Sequence, residues 1–212
     1  MKLGCGTALP SLALFQWAIQ ESTSLNRHYH FAVADYNPTV LQLVTLPNFL
    51  LSWAILQKTH IPALETTFTS DDELELTPEV LQAFQDFLTS RNITLAFLSG
   101  AWSPELVAMI YDPLRVDVAA PTSTLLLGAE TIYSPFALAA FTEMTFSILE
   151  RETKRTGTRR TAAYVAAKRL YFGVGGSLDD FIDGARQRGG VVDILREETD
   201  GVRRGVVRCT IT

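Results

Sequence analysis

The stretch Met1-Lys2-Leu3-Gly4-Cys5-Gly6-Thr7-Ala8-Leu9-Pro10 decides how the rest of the chain is read. A short entry runs into two glycines, after which Leu9, Leu12, Ala13, Phe15, Ala18 and Ile19 recur at helical spacing. That order describes the end of a strand over Met1 to Leu3, a tight turn and a helix over Leu9 to Ile19. Gly4 and Gly6 permit backbone conformations closed to other residues, and amides at the start of the helix can then meet a ligand. A glycine pair in this place also serves as an ordinary turn, so the motif alone leaves both readings open.

Working outward, His30 to Asp35 is a compact apolar run that ends in an acid, and Asn37 is placed to cap a helix begun by Pro38. Pro47 should kink or restart that helix, which puts Asn48 at the break. Residues 59–92 read as a surface insertion with one amphipathic helix from Pro78 to Leu88. Ile93 to Leu98 predicts a third strand, ending in Ser99-Gly100-Ala101-Trp102 before a helix from Pro104 to Ile110. Thr124 to Leu127 predicts a fourth, followed by Glu130-Thr131-Ile132-Tyr133 and a helix from Pro135 to Glu152. A strand over Thr161 to Ala167, a helix over Leu178 to Arg188 and closing strands over Val191 to Leu195 and Gly205 to Ile211 complete the pattern.

Strands alternating with helices, with a final pair that looks antiparallel, predict a doubly wound, Rossmann-like α/β sheet, mostly parallel with an antiparallel C-terminal strand. The 212 residues fit one domain, and 47% hydrophobic with 19% charged residues is a globular composition. A net charge of −5 argues against a general nucleic-acid surface, and Arg151, Lys154, Arg155, Arg159 and Arg160 read as a solvated helix end and loop. No membrane partner is expected, since no unbroken apolar run reaches the ~18 residues of a span. Two cysteines do not make a disulfide framework; Cys5 reads as a packing residue of the turn.

Several chemistries lack their residues. There is no Gly-Lys-Ser/Thr phosphate loop, no third glycine of a nicotinamide site, and His28, His30 and His60 are too scattered for a metal ligand set. What remains is positional: Gly4 to Thr7, Asp35 to Asn37, Trp102 and Glu130 to Tyr133 all fall at C-terminal strand ends, where doubly wound sheets bind ligands. Asp35 can accept hydrogen bonds from ribose hydroxyls there or simply cap a turn.

The blocks Leu3-Gly4-Cys5-Gly6-Thr7, Asp35-Tyr36-Asn37, Thr45-Leu46-Pro47-Asn48, Ser99-Gly100-Ala101-Trp102-Ser103, Glu130-Thr131-Ile132-Tyr133 and Lys168 with Tyr171-Phe172-Gly173-Val174-Gly175-Gly176 occur in this order. The set resembles the seven-strand, S-adenosylmethionine-dependent protein-histidine methyltransferases of eukaryotes, which modify a large-subunit ribosomal protein. The resemblance implies S-adenosylmethionine as cofactor, with Gly4 and Gly6 near its methionine part, Asp35 and Asn37 at the ribose, Trp102 beside the adenine and Asn48 supporting the pocket. It implies Glu130 and Tyr133 at the mouth of the methyl-transfer pocket, with Tyr171, Phe172 and Gly175 on the substrate side. A bland reading stands beside it, in which Glu130 caps the helix ahead of Pro135 and the glycines after Tyr171 form an inert turn. The implied partner is a ribosomal protein, with no need for direct nucleic-acid contact, and the implied compartment is cytoplasm or nucleus.

The chemistry suits these residues. An imidazole with a pKa near ~6.5 is largely neutral at pH 7, whereas an amine near ~10.4 must first lose a proton. Glu130 can orient an imidazole by accepting its other N–H. Lysine methylation and a catalytically impaired binding module remain as alternatives. The last is prompted by three departures: Lys2 where the family carries an acid, Ala101 where many relatives carry another, and a first strand of three residues. These lead to the expectation of a truncated member, a single domain over 1–212, with weakened cofactor binding.

Overall fold

Short apolar runs bounded by glycine, proline or acidic residues form the strands, and longer amphipathic runs form the helices between them. The computed structural model describes residues 1–21, 27–69, 73–111, 122–154, 160–171 and 175–211. Asp71, Asp72, Arg155, Arg159, Phe172, Gly173 and Val174 lie outside the described residues.

The strands are β1 (Lys2–Leu3), β2 (Tyr29–Asp35), β3 (Ile93–Ser99), β4 (Thr124–Ala129), β5 (Thr161–Lys168), β6 (Val191–Glu198) and β7 (Arg204–Thr210). They make one seven-stranded sheet in the order β3-β2-β1-β4-β5-β7-β6. The first five run parallel, and β7 inserts antiparallel between β5 and β6. The doubly wound, mostly parallel sheet read from the sequence is therefore the observed one. β1 is only two residues long yet central, pairing Lys2 with Val33 and Leu127, and Leu3 with Ala34 and Gly128. Strand order reverses beside β1, and in sheets of this kind ligands bind at the C-terminal strand ends there.

Alternate strand residues feed two helical layers. On one side α1 (Leu9–Gln20), α3 (Leu46–Gln57) and α4 (Pro78–Ser90) cover Val33 and Ile93. Phe15, Phe31, Phe49 and Phe97 interlock there edge to face. On the other side α5 (Pro104–Tyr111), α6 (Pro135–Lys154) and α7 (Leu178–Gln187) cover Leu3, Ala32, Ala34, Leu126 and Val165. Thr124 donates to the buried Glu152 carboxylate at 2.7 Å, tying the start of β4 to the end of α6.

Residues 59–92 depart from the surface insertion expected of them. Leu64, Val80 and Phe84 are buried, and Phe84 packs on Trp53. α4 is the crossover helix that leads into β3, and its apolar face completes the first layer; the acids around it made the segment look detached.

The helix beginning at Pro38 also changes course. After α2 (Pro38–Val40), residues Leu41–Thr45 form a π-helical stretch in which Leu46 N–H donates to Leu41 O. Pro47 lacks an amide proton and crowds the preceding turn, and one wide turn absorbs it before α3 resumes. From Pro38 to Gln57 the helical run carries no Asp, Glu, Lys or Arg, and it is the one helix among the described residues long and apolar enough to cross a membrane by length and composition. Its face of Leu41, Phe49, Trp53 and Ala54 is spent on the core.

Candidate active site

The glycine turn follows β1 directly. Gly4 (φ +58°) and Gly6 (φ +50°) both adopt the left-handed conformation, as does Ala8 (φ +59°) at the start of α1. The two glycines differ in their surroundings. A Cβ at Gly4 would run into Thr131 Cγ2 and approach Trp102 Cζ2, whereas one at Gly6 would meet open space. Gly4 is thus where the β1 turn, the β3 end and the segment after β4 close on one another.

The turn is clamped from below by the helix break. Thr45, on the π stretch, donates to Gly6 O at 2.7 Å, and Asn48 Nδ2 donates to Thr7 O at 3.0 Å. A wide turn at Pro47 is what rotates both side chains toward the loop. Asn48 thus ties the helix break to the glycine turn; Thr45 carried no sequence signal beyond its neighbour Pro47. Cys5 is buried, with its sulfur 3.4 Å from Thr45 Oγ1, and burial pushes its thiol pKa up.

Asp35 joins the turn from β2. Its Oδ2 accepts from Gly6 N–H at 3.0 Å and its Oδ1 from Asn37 N–H at 3.2 Å. The Cys5 thiol also donates weakly to Oδ2 at 3.8 Å, so of the about four lone-pair positions of the carboxylate only part remains open to a ligand hydroxyl. Asp35 therefore orders the turn, as one of its two sequence readings has it. Asn37 accepts from Thr39 N–H at 2.9 Å and caps α2, with its side chain exposed.

Lys2, the first residue of β1, is 1% exposed, and its side chain runs along the strand toward the glycine turn. Its ammonium donates to Leu3 O and Gly4 O, each at 2.8 Å. Burial lowers its pKa to about 8, partly offset by the nearby Cys5 and Asp35 side chains. Trp102, half-buried after β3, meets Phe141 edge-on at 5.7 Å. Its Nε1 and the hydroxyl of buried Thr131 are without a hydrogen-bond partner among the described residues.

The second half of the site is built by side chains from distant parts of the chain. Glu130 follows β4 with φ +55°, a strained position for a residue with a side chain. Its Oε2 accepts from the Tyr171 hydroxyl at 2.8 Å and its Oε1 from Arg204 Nε at 3.3 Å. Tyr171 is buried against the second core layer, and its hydroxyl also accepts weakly from Lys168 N–H at 3.4 Å. Burial, and then the hydrogen bond to Glu130, raise its pKa to about 12, so it remains a donor at neutral pH. Lys168 Nζ sits 5.3 Å from the Tyr171 ring centroid.

Tyr133 is 55% exposed at the rim; the hydroxyl that reaches Glu130 is that of Tyr171. A Cβ at Gly175 would lie 3.0 Å from Pro135 Cγ, so Gly175 seats closely on the start of α6. Sequence reasoning missed Arg204, whose only signal was its place at the start of a strand. Among the described residues no group of three or more His, Cys, Asp or Glu is placed to hold a metal ion.

No family model matches the chain. It is 37% identical over 188 residues to histidine protein methyltransferase 1 of Saccharomyces cerevisiae, covering 85% of this chain and 47% of that protein. Histidine protein methyltransferase 1 of Schizosaccharomyces pombe aligns at 35% identity over 181 residues, with the same shares. The chain spans about half the length of the curated relatives it matches. Among solved structures, a pericyclic-reaction enzyme superposes with a TM-score of 0.50 at 10% identity, over 100% of this chain and 42% of that one, a likeness of fold alone. By sequence, most of this chain is similar to about half the length of the histidine protein methyltransferases of two yeasts.

Proposed function

We propose that the chain binds S-adenosylmethionine and transfers its methyl group to a histidine of a large-subunit ribosomal protein, in the cytoplasm or nucleus. One observation carries this reading: Thr131, the residue after Glu130, packs on Gly4. A donor lying on the glycine turn and an acceptor oriented by Glu130 would share one small site.

The residues present fit the cofactor. The open space over Gly6, the remaining acceptor capacity of the Asp35 carboxylate and the nearby Trp102 ring, which approaches Gly4, offer a cradle for it. When bound, S-adenosylmethionine supplies an electrophilic methyl group. The chain's own task is positional. Glu130 accepts the N–H of one imidazole nitrogen, which fixes the tautomer and leaves the lone pair of the other nitrogen free. Tyr171 and Arg204 hold the Glu130 carboxylate for that purpose.

A second reading, a catalytically impaired binding module, is favoured by Lys2, whose buried ammonium bonds to Gly4 O of the glycine turn and would disfavour a cation bound against that turn. Incubation of the chain with tritiated S-adenosylmethionine and large-subunit ribosomal protein, followed by amino-acid analysis, separates the alternatives. Label in methylhistidine is the expected result. Label in methyl-lysine, or none, refutes the proposal.

A further inference from the structure

We infer that Arg204 is a specificity-determining residue, which neutralises Glu130 at the pocket mouth and so makes the mouth favour an uncharged imidazole over an ammonium side chain. The inference rests on the reading of this mouth as the acceptor site. An isolated carboxylate there would attract a lysine ammonium at least as well as an imidazole. The observed mouth is different.

Glu130 and Arg204 form an ion pair, with both side chains about half exposed. Lys168, whose ammonium lies over the Tyr171 ring, adds a further positive charge on the same side. The neighbouring charges are engaged elsewhere: Arg169 pairs with Asp179 and Glu197, and Glu198 with Arg196. The local sum over Glu130, Arg204 and Lys168 is therefore positive. A neutral imidazole can still donate its N–H to a free lone pair of Glu130. An ammonium must approach two cations to reach the same carboxylate, and it must also shed a proton before its nitrogen can attack. Arg204 is in register with Lys168 and Glu198, and replacing its side chain leaves the backbone ladder intact.

The test needs neither cofactor nor turnover. 4-Methylimidazole and n-butylamine serve as side-chain probes at a pH of about 8.5, where the first is neutral and the second charged. Their affinities are read from carbon-13 NMR of the labelled glutamate carboxylates, with Glu130→Gln assigning the Glu130 signal. In the unaltered chain the imidazole binds more tightly. Arg204→Gln narrows that preference by about 5- to 10-fold, the scale of one half-exposed charge. Arg204→Lys keeps most of it, because the charge is retained.

A preference unchanged by Arg204→Gln overturns the inference, as does failure of both probes to move the Glu130 signal. A structural role alone would weaken both probes equally and leave the ratio fixed. Methylation reports separately: a chain that shows the binding preference but labels no histidine loses the proposed function and keeps this one.

Discussion

The two halves of the site are built by opposite means. On the donor side, Gly6, Asp35, Thr45 and Asn48 are joined by bonds that each have a backbone atom of the turn at one end, and the turn glycines hold a left-handed backbone. At the mouth, Glu130, Tyr171 and Arg204 meet through side chains alone, from strand ends separated by 41 and 74 residues, and half of that surface faces water. Backbone-built sites are stiff and carry their requirements in residue type. Side-chain-built sites are adjustable and carry chemistry. Substitutions in the first should therefore strike stability and ligand binding together, and those in the second should strike turnover alone.

The largest expected effect tests the mouth. Glu130→Ala should lower histidine methylation by about 10²- to 10⁴-fold, the usual range for a positioned acid–base group. Calorimetric affinity for S-adenosylmethionine and the urea midpoint should remain near those of the unaltered chain. Equal loss of binding would move Glu130 into the donor half and erase the contrast.

Gly4→Ala tests the other half. The new methyl meets Thr131 in a left-handed backbone, and overpacking and backbone strain together should destabilise the chain by about 2 to 4 kcal/mol. Gly6→Ala, with the same backbone sign but open space, should lose only about 1 to 2 kcal/mol. Urea unfolding compares the pair. Equal losses would mean that the close approach of Thr131 to Gly4 plays no part.

Lys2 gives a prediction with a pH signature. Its folded pKa, about 8, lies below its ordinary value of 10.5, so below pH 8 the ammonium is charged in both states and the burial penalty is complete. Between pH 8 and 10.5 the unfolded chain holds more protons, and stability rises as pH rises. Above that window the penalty is gone. Lys2→Met should therefore stabilise the chain at pH 7, by on the order of 3 kcal/mol, and abolish the rise. Denaturant midpoints at pH 7 and pH 10 check both parts, and a rise that persists in Lys2→Met would assign it to another group.

The same contrast decides what the sequence could tell. Strand ends, the glycine turn and the acid of β2 were legible because backbone geometry restricts residue type: only a few residues accept positive φ, end a strand or cap a helix. The break at Pro47 was legible for the same reason, although its π form and the aim of Thr45 depend on packing around α1 and the loop. Residues 59–92 were misjudged because an amphipathic helix looks the same in an insertion and in a crossover, and only Trp53 and the sheet show where the apolar face of α4 packs. Arg204 was illegible, since nothing local marks an arginine that completes a carboxylate 74 residues away. Glu130 and Tyr171 were found through a family motif, and that motif does not say that they touch each other.

The smallest effect is the finest probe of the mouth. Tyr171 donates to one oxygen of Glu130 while Arg204 holds the other, so Tyr171→Phe removes one of two restraints and leaves the charge in place. The freed carboxylate is half exposed and can take a water, which limits the loss to about 1 kcal/mol, or roughly 5- to 10-fold in turnover. The substrate KM should move little. Because the pKa of Tyr171 is raised to about 12, its hydroxyl stays protonated throughout the working range, and the pH–rate profile of Tyr171→Phe should keep the shape of the unaltered chain's. An alkaline limb that vanishes in Tyr171→Phe would make the tyrosine a proton-transfer group in its own right, and the mouth would then be a two-residue acid–base pair instead of one carboxylate held in place by its neighbours.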